Sequence, residues 1–178
     1  MSTAHKGGEI KLEDGITQRM ESGMSMKEKL NIGDICNRTV VFALEDMSLK
    51  DAARLMRDEH VGSLVVVREA AHGKIVVGML TDRDITVMGV ARDFDPQSLR
   101  VADIMSSDPV TARPDDSINE VLGEMRSRGI RRVPVTSDDG ALVGIVTLDD
   151  LLDVVAEEMR DFVQAIESAQ KREMRTRG

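Results

Sequence analysis

Aromatic side chains are scarce in this chain: three Phe, no Trp and no Tyr. The core therefore has to be aliphatic, built from Val, Ile, Leu and twelve Met. Stacking platforms of the kind that hold unpaired bases are not available. The single cysteine, Cys36, excludes an intrachain disulfide and a cysteine-rich zinc site, and suits a small buried or half-buried apolar side chain. His5, His60 and His72 show neither metal-ligand spacing nor a partner for nucleophilic chemistry. No apolar run approaches the roughly 18–20 residues that span a bilayer. The stretch from Met1 to Gly8 lacks an apolar core behind its charge, so no secretion signal is expected and a cytoplasmic location follows. Positive charge is in deficit: 24 basic against 32 acidic residues give a net charge of −8, which argues against a fold-wide grip on nucleic acid. There is no GxxxxGK loop, no catalytic carboxylate pair, no metal cluster and no Ser–His or Cys–His arrangement, so catalysis is not expected.

What is present is a duplication. The 178 residues suit one compact domain or two small ones. Residues 1–30 are polar, Gly-dotted and charge-balanced, and are expected to be a mobile arm with a helical turn before Leu30. Beyond them, Asp34-Ile35 aligns with Asp103-Ile104 at an offset of 69. The same offset pairs Val41 with Val110, Ser48 with Ser117, Met56 with Met125 and Val66 with Val135. The offset then falls to 66, pairing Gly78 with Gly144, Thr81 with Thr147 and Asp84 with Asp150. The three residues are lost in a polar loop, where a surface hairpin tolerates a change of length.

Both copies share one pattern. Val40-Val41-Phe42 and Pro109-Val110-Thr111 are expected to be short extended pieces. Ser48 and Ser117 are N-cap candidates. Leu49, Ala52, Ala53 and Met56, like Ile118, Val121, Leu122 and Met125, follow the i, i+3, i+4, i+7 spacing of an amphipathic helix. Two strands follow, over 64–67 and 75–80 in the first copy and over 133–136 and 142–146 in the second. His72-Gly73 and Asp138-Asp139-Gly140 supply the turns between them. A second helix starts after Thr81 and after Thr147. About 60 residues make a thin core, so two such α/β (α+β) units are expected to pack sheet to sheet about a pseudo-twofold axis. The divisions are an arm at 1–30, repeats at 31–92 and 101–165, a linker at 93–100, and a basic helix end and tail at 166–178. That tail is expected to be solvated and frayed. The apolar stripe Leu151, Leu152, Val155, Met159, Phe162 and Ile166 outruns the part matched by the first copy and is expected to pack on a neighbour.

The corners Gly78–Asp84 and Gly144–Asp150 carry the chemistry. The Thr81 and Thr147 hydroxyls stand where a strand ends and a helix begins, and can donate to a sugar or phosphate oxygen. Asp84 and Asp150, three residues on, are acceptors able to take ribose hydroxyls. Free N–H groups of the first helical turn can face an anion. The competing explanation is local: Thr-x-x-Asp is also a capping box, and capping alone accounts for both pairs. Arg83 lies inside the first corner. Arg131 and Arg132 precede a strand of the second copy and either meet a phosphate or bond nearby acids such as Asp138 and Asp139.

Taken together, the tandem repeats of about 60 residues, the strand–helix–strand–strand–helix order and the Gly-hydrophobic-x-Thr-x-x-Asp corner in both copies resemble a pair of CBS domains, a Bateman module, over about residues 31–165. The resemblance implies two tandem β-α-β-β-α CBS repeats, usually dimerised. It also implies clefts that take AMP, ADP, ATP, NAD or S-adenosylmethionine, with an adenine nucleotide, AMP or ATP, as regulatory ligand and no required cofactor. It further implies a sensor that signals to a separate regulated protein and needs neither membrane insertion nor nucleic acid. By the same resemblance, Val41 in one copy and Val110, Thr111 and Ala112 in the other supply part of an adenine slot, with Arg131 and Arg132 placed for phosphate. The alternative within the family is an interaction module whose clefts stay empty.

Overall fold

The computed structural model describes residues 30–71, 73–92 and 95–176. The expected N-terminal arm, apart from Leu30, lies outside the described residues, as do His72 of the first turn and Asp93 and Phe94 of the linker. The first half of the chain runs α1 (Ile32–Ile35), β1 (Phe42–Leu44), α2 (Leu49–Asp58), β2 (Ser63–Ala70), β3 (Gly73–Thr81) and α3 (Asp82–Asp84). The second half runs α4 (Val101–Ile104), β4 (Ser106–Ser107), α5 (Ile118–Arg128), β5 (Arg132–Thr136), β6 (Leu142–Thr147) and α6 (Leu148–Thr176). Mixed helices and sheets in this order make an α+β fold.

Helices α2 and α5 begin as their sequences direct. Ser48 Oγ accepts from the Asp51 N–H at 3.1 Å, and Ser117 Oγ from the Glu120 N–H at 3.3 Å. Helix α5 stops at Gly129, whose φ of 65° is the left-handed cap that glycine adopts without strain. Met56 and Met125 are core residues, as their spacing predicts.

The four-stranded sheet has the order β1-β2-β3-β4, with β1 parallel to β2 and the other pairs antiparallel. Strand β2 is buried on both faces. Leu64 and Val66 point into the core of the first half, while Val65 and Val67 meet Val40, Phe42 and Leu142 at the seam between the sheets. That two-sided burial follows from strand alternation and explains an uninterrupted run of apolar residues.

The second sheet is the same design cut down to β5 and β6. The expected strand at Pro109–Thr111 is not formed; only Ala112 bridges to Val135. The offset of 69 places Pro134 where the first copy has Val65. Proline has no N–H to give a strand on that side, so the ladder shrinks to one bridge.

The halves exchange their leading turns. Val101 and Ala102 N–H donate to the Met47 and Glu45 carbonyls, and Ile32 and Gly33 N–H donate to the Asp116 and Pro114 carbonyls. These are the same bonds at an offset of 69. Ile32 is fully buried in the second-half core and Val101 in the first-half core. Each burial is worth about 1.5–3 kcal/mol. Beyond each turn the chain pairs with the other half's last strand: Ser106 with Met79, and Asn37 with Ile145.

This crossing explains both corner glycines. A Cβ on Gly144 would lie 2.9 Å from Cys36 Sγ and 3.0 Å from the Asn37 carbonyl oxygen. On Gly78 it would lie 2.6 Å from Met105 Sδ and 3.0 Å from the Ser106 carbonyl oxygen. By contrast, a Cβ on Gly123 of α5 meets nothing within 4 Å. Gly144→Ala is expected to destabilise the protein by about 1–3 kcal/mol, and Gly123→Ala to stabilise it by about 0.5–1 kcal/mol. Urea unfolding of the two variants checks both signs.

Candidate functional site

The two Thr-x-x-Asp corners have the same geometry. At the first, Asp84 Oδ2 accepts from the Thr81 N–H at 2.9 Å and from the Thr81 hydroxyl at 2.7 Å, while the Asp84 N–H donates back to Thr81 Oγ1 at 3.2 Å. At the second, the matching distances for Asp150 and Thr147 are 2.7, 2.7 and 3.2 Å. Both are complete capping boxes. The threonine hydroxyl proton is given to the aspartate. In this structure the Thr81 and Thr147 hydroxyls donate to the aspartates and hold them in place.

Capping uses only one oxygen of each carboxylate. Asp84 Oδ1 and Asp150 Oδ1 make no hydrogen bond among the described residues, and both side chains are half-buried. A carboxylate oxygen has two lone pairs, so each corner still presents one oriented acceptor able to receive two donors. Two hydroxyls on adjacent carbons present such a donor pair. Capping and ligand recognition are therefore compatible here.

The backbone carries the strand before each corner up against it. Thr147 stands opposite Arg132 in the β5–β6 register, and the Leu148 N–H donates to the Arg131 carbonyl at 2.9 Å. Thr81 stands opposite Ser63, and the Asp82 N–H donates to the Gly62 carbonyl at 3.1 Å. Arg131 and Arg132 thus belong to the second corner, and Arg83 to the first. All three are exposed and none makes a described ion pair. Of the two acids named as alternative partners for Arg131 and Arg132, Asp138 and Asp139, the first is held by Arg113 Nη1 at 2.5 Å and the second accepts from Ser137 Oγ.

Charge separates the corners. At the first, Asp82 lies over Gly62, with Oδ2 3.3 Å from where a Cβ would stand. At the second, Leu148 replaces Asp82, Asp149 replaces Arg83, and Arg131 and Arg132 replace Gly62 and Ser63.

The predicted apolar slot is only partly open. Val41 and Val110 are half-buried against their respective cores, and Thr111 is exposed. Ala112 is buried and its backbone is engaged, its N–H to the Pro134 carbonyl at 2.9 Å and its carbonyl to the Thr136 N–H at 2.8 Å. The backbone of Val110 makes no hydrogen bond among the described residues; its carbonyl faces the strand position where Pro134 has no N–H to give.

Arg38 was not foreseen in the sequence. It is half-buried, and Nη2 donates to the Gly33 carbonyl at 3.1 Å. Burial pushes the Cys36 thiol above its ordinary value; Arg38 pulls it down, and Asp150 and Asp34 push it up. Arg38 follows the segment that pairs with β6 at Asn37–Ile145, and its guanidinium is turned back onto the leading turn through Gly33. Its counterpart in the other half is Ser107. Only the exchange of leading turns reveals this, and no local spacing signals it.

The family model for the CBS domain matches residues 32–88 and 101–157. The chain belongs to the CBS-domain family and carries two copies in tandem. It is 31% identical over 144 residues to an uncharacterized protein of Methanopyrus kandleri, covering 77% of this chain and 72% of that one. It is 35% identical over 134 residues to hypoxic response protein 1 of Mycobacterium tuberculosis, covering 75% and 91%. Among solved structures, it is similar to the CBS domain pair of protein MJ0100 in complex with 5′-methylthioadenosine and S-adenosyl-L-methionine. That match has a TM-score of 0.64 and 27% identity, and covers 74% of this chain and 99% of that one. Among the described residues, no helix is long and apolar enough to cross a membrane.

The raised Cys36 thiol has a pH consequence. The folded state keeps the proton where an unfolded thiol has lost it, so this stabilising contribution is complete below the ordinary value of 9.0 and is lost as pH rises from there through the folded value. Native protein is expected to react slowly with iodoacetamide, and Cys36→Ala to flatten the alkaline fall in stability. Alkylation rates and urea midpoints across that range check this.

Proposed function

We propose that this chain is a non-catalytic regulatory module that binds adenosine-containing ligands at its two corners and passes its ligand state to a partner protein. The two halves are 31–92 and 101–165, joined by 93–100. The observation that carries the proposal is the pair of free carboxylate oxygens, Asp84 Oδ1 and Asp150 Oδ1, each held by a threonine at an equivalent strand-to-helix corner. Each oxygen accepts the two ribose hydroxyls. Val41 and Val110 border the base, and the unpaired Val110 backbone offers a donor and an acceptor to its edge. The adenosine ligands of the MJ0100 pair support the same ligand class.

Phosphate recognition differs between the corners. Arg131 and Arg132 at the second favour a phosphorylated ligand such as AMP or ATP. Asp82 at the first offsets Arg83, which suits an adenosine ligand of low negative charge. Ligand binding shifts the module only so far as its affinity differs between two states of the protein. A structural module with empty clefts is the second possibility, and the complete capping boxes favour it, because they account for the Thr–Asp pairs without a ligand.

Titration of AMP by calorimetry, with the melting temperature followed in parallel, separates the two. At 100 times Kd, a bound nucleotide is expected to add about 2.7 kcal/mol of stability. Flat melting curves across AMP, ADP, ATP, NAD and S-adenosylmethionine would establish the empty module. Asp150→Asn keeps the side-chain volume and a cap acceptor, but removes the charge offered to ribose. It is expected to weaken AMP binding by about 10-fold to 100-fold, the worth of a charge-assisted hydrogen bond. Asp84→Asn is expected to weaken it less. Identical losses in the two variants would contradict the unequal charge of the corners.

A further inference from the structure

The two halves differ in what lies across the start of their first long helices. In the first half the linker closes α2: the Leu49 N–H donates to the Leu99 carbonyl and the Lys50 N–H to the Pro96 carbonyl, both at 3.1 Å. Leu99 is half-buried against the first-half core. The second half repeats the anchor, since Asn31 bridges Ser117 as Arg100 bridges Ser48. It does not repeat the closure among the described residues. Asn119 is the counterpart of Lys50, and its N–H has no acceptor among the described residues. Leu30, the counterpart of Leu99, is 47% exposed. At the offset of 69, the residue equivalent to Pro96 is Lys27.

From Asn119 an open groove of about 460 Å³ follows α5. Its lining is mixed: Asn119 and Arg126 stand among Leu122, Gly123, Ile130 and Leu148. Leu122 is 39% exposed, and a Cβ on Gly123 would meet nothing within 4 Å. An occupant that fits brings apolar groups and an acid, and enters beside Asn119. Residues 1–29 enter there, because they join the described residues at Leu30, next to the Asn31–Ser117 bridge. Within them Leu12, Ile16, Met20 and Met24 recur every four residues, the spacing of one helical face. Counted back from Lys27 at Asn119, antiparallel to α5, Met24 falls at Leu122, Met20 at Arg126 and Ile16 at Ile130. Two helices rise equally per residue, so these matches stay in step. Glu21 adjoins Met20 and falls within reach of the Arg126 guanidinium. We propose that residues 12–29 of this chain fold back along its own α5 and fill this groove, with Lys27 closing the start of α5 as Pro96 closes α2. Gly15 and Gly23 make the segment a poor helix alone, so its helix and its contact with α5 form together.

The test uses the full chain and no ligand. In a Cys36→Ala background, Met20→Cys is combined either with Arg126→Cys, in the groove, or with Glu124→Cys, on the opposite side of α5. Oxidation is expected to join the first pair within one chain about 10-fold faster or more than the second, because docking raises the effective concentration. Both α5 positions lie within a turn of each other, so equal rates would mean an undocked arm and overturn the proposal. A bond formed between two chains would seat the arm on a second copy and overturn it too. In the unaltered chain, backbone amides of residues 16–27 are expected to exchange with deuterium about 10-fold more slowly or more than those of residues 2–8. Ile16→Glu combined with Met20→Glu is expected to abolish that difference and leave exchange in β2 unchanged. Absent protection in the unaltered chain, or protection that survives the double substitution, would show that the groove has another occupant.

Discussion

The structure depends on the reciprocal crossing of two four-residue turns. Ile32 fills the second-half core and Val101 the first, and the same pair of backbone hydrogen bonds anchors each turn in the opposite half. Neither half can complete its hydrophobic core from its own residues. A core of about 60 residues is marginal to begin with, and exchange gives each half a fully buried branched side chain from the other. It also adds a backbone strand beside β3 and a matching bridge beside β6, which protects one edge of each sheet. The corner glycines belong to this arrangement: the crossing backbone lies where a Cβ would be, with Cys36 and Met105 as equivalent sulfurs against Gly144 and Gly78.

The crossing also makes each corner composite. The chain that lies on β6 beside Gly144 goes on, within a few residues, to form β1 of the first half. The chain beside Gly78 leads toward Val110 and Ala112 of the second. The backbone beside each corner therefore ends in the first extended segment of the other half. The two corners are thus joined by contiguous backbone. Duplication preserved the cap and the free carboxylate oxygen at both corners while the surrounding charges diverged, so the module has one acceptor geometry in two electrostatic settings.

Much of the fold was legible from residues that act locally. Ser48 and Ser117 cap helices because their oxygens reach a nearby N–H, and the alternation in β2 and β5 follows from strand geometry. The corners were legible as Thr–Asp pairs, but not the division of labour within them. Only coordinates show that the cap occupies Oδ2 and leaves Oδ1 free, since a formula of residue types does not distinguish the two oxygens of a carboxylate. The lost strand at 109–111 was in principle readable from Pro134, but only once the parallel partner of that segment is known. The exchange was not legible at all. Asp34-Ile35 and Asp103-Ile104 align as repeats, and a four-residue turn carries no mark of which half it will enter. Arg38 was invisible for the same reason. The basic helix end expected from residue 166 is helical through Thr176 with its described side chains exposed, supported by i, i+4 pairs such as Glu167–Lys171.

The divergence of the two second helices follows from a few substitutions at equivalent positions. After Asp84 the first helix passes into a π-helical stretch, Ile85–Gly89, and then a 3-10 turn, Val90–Arg92. There the Thr86 hydroxyl donates to the Asp82 carbonyl at 2.9 Å, which competes with the helix ladder, and Gly89 lets the backbone settle within contact of Leu49. The offset of 66 makes Leu152 the counterpart of Thr86 and Val155 the counterpart of Gly89. The two residues that loosen the first helix and turn it onto α2 are thus the two that open the apolar stripe in the second. At these positions a hydroxyl and a hydrogen atom in the first helix correspond to branched apolar groups in the second, where they stand exposed at the head of the apolar stripe. The same substitutions leave Thr147 and Asp150 untouched one turn earlier, so the capped corner and the uncovered helix face adjoin on one element.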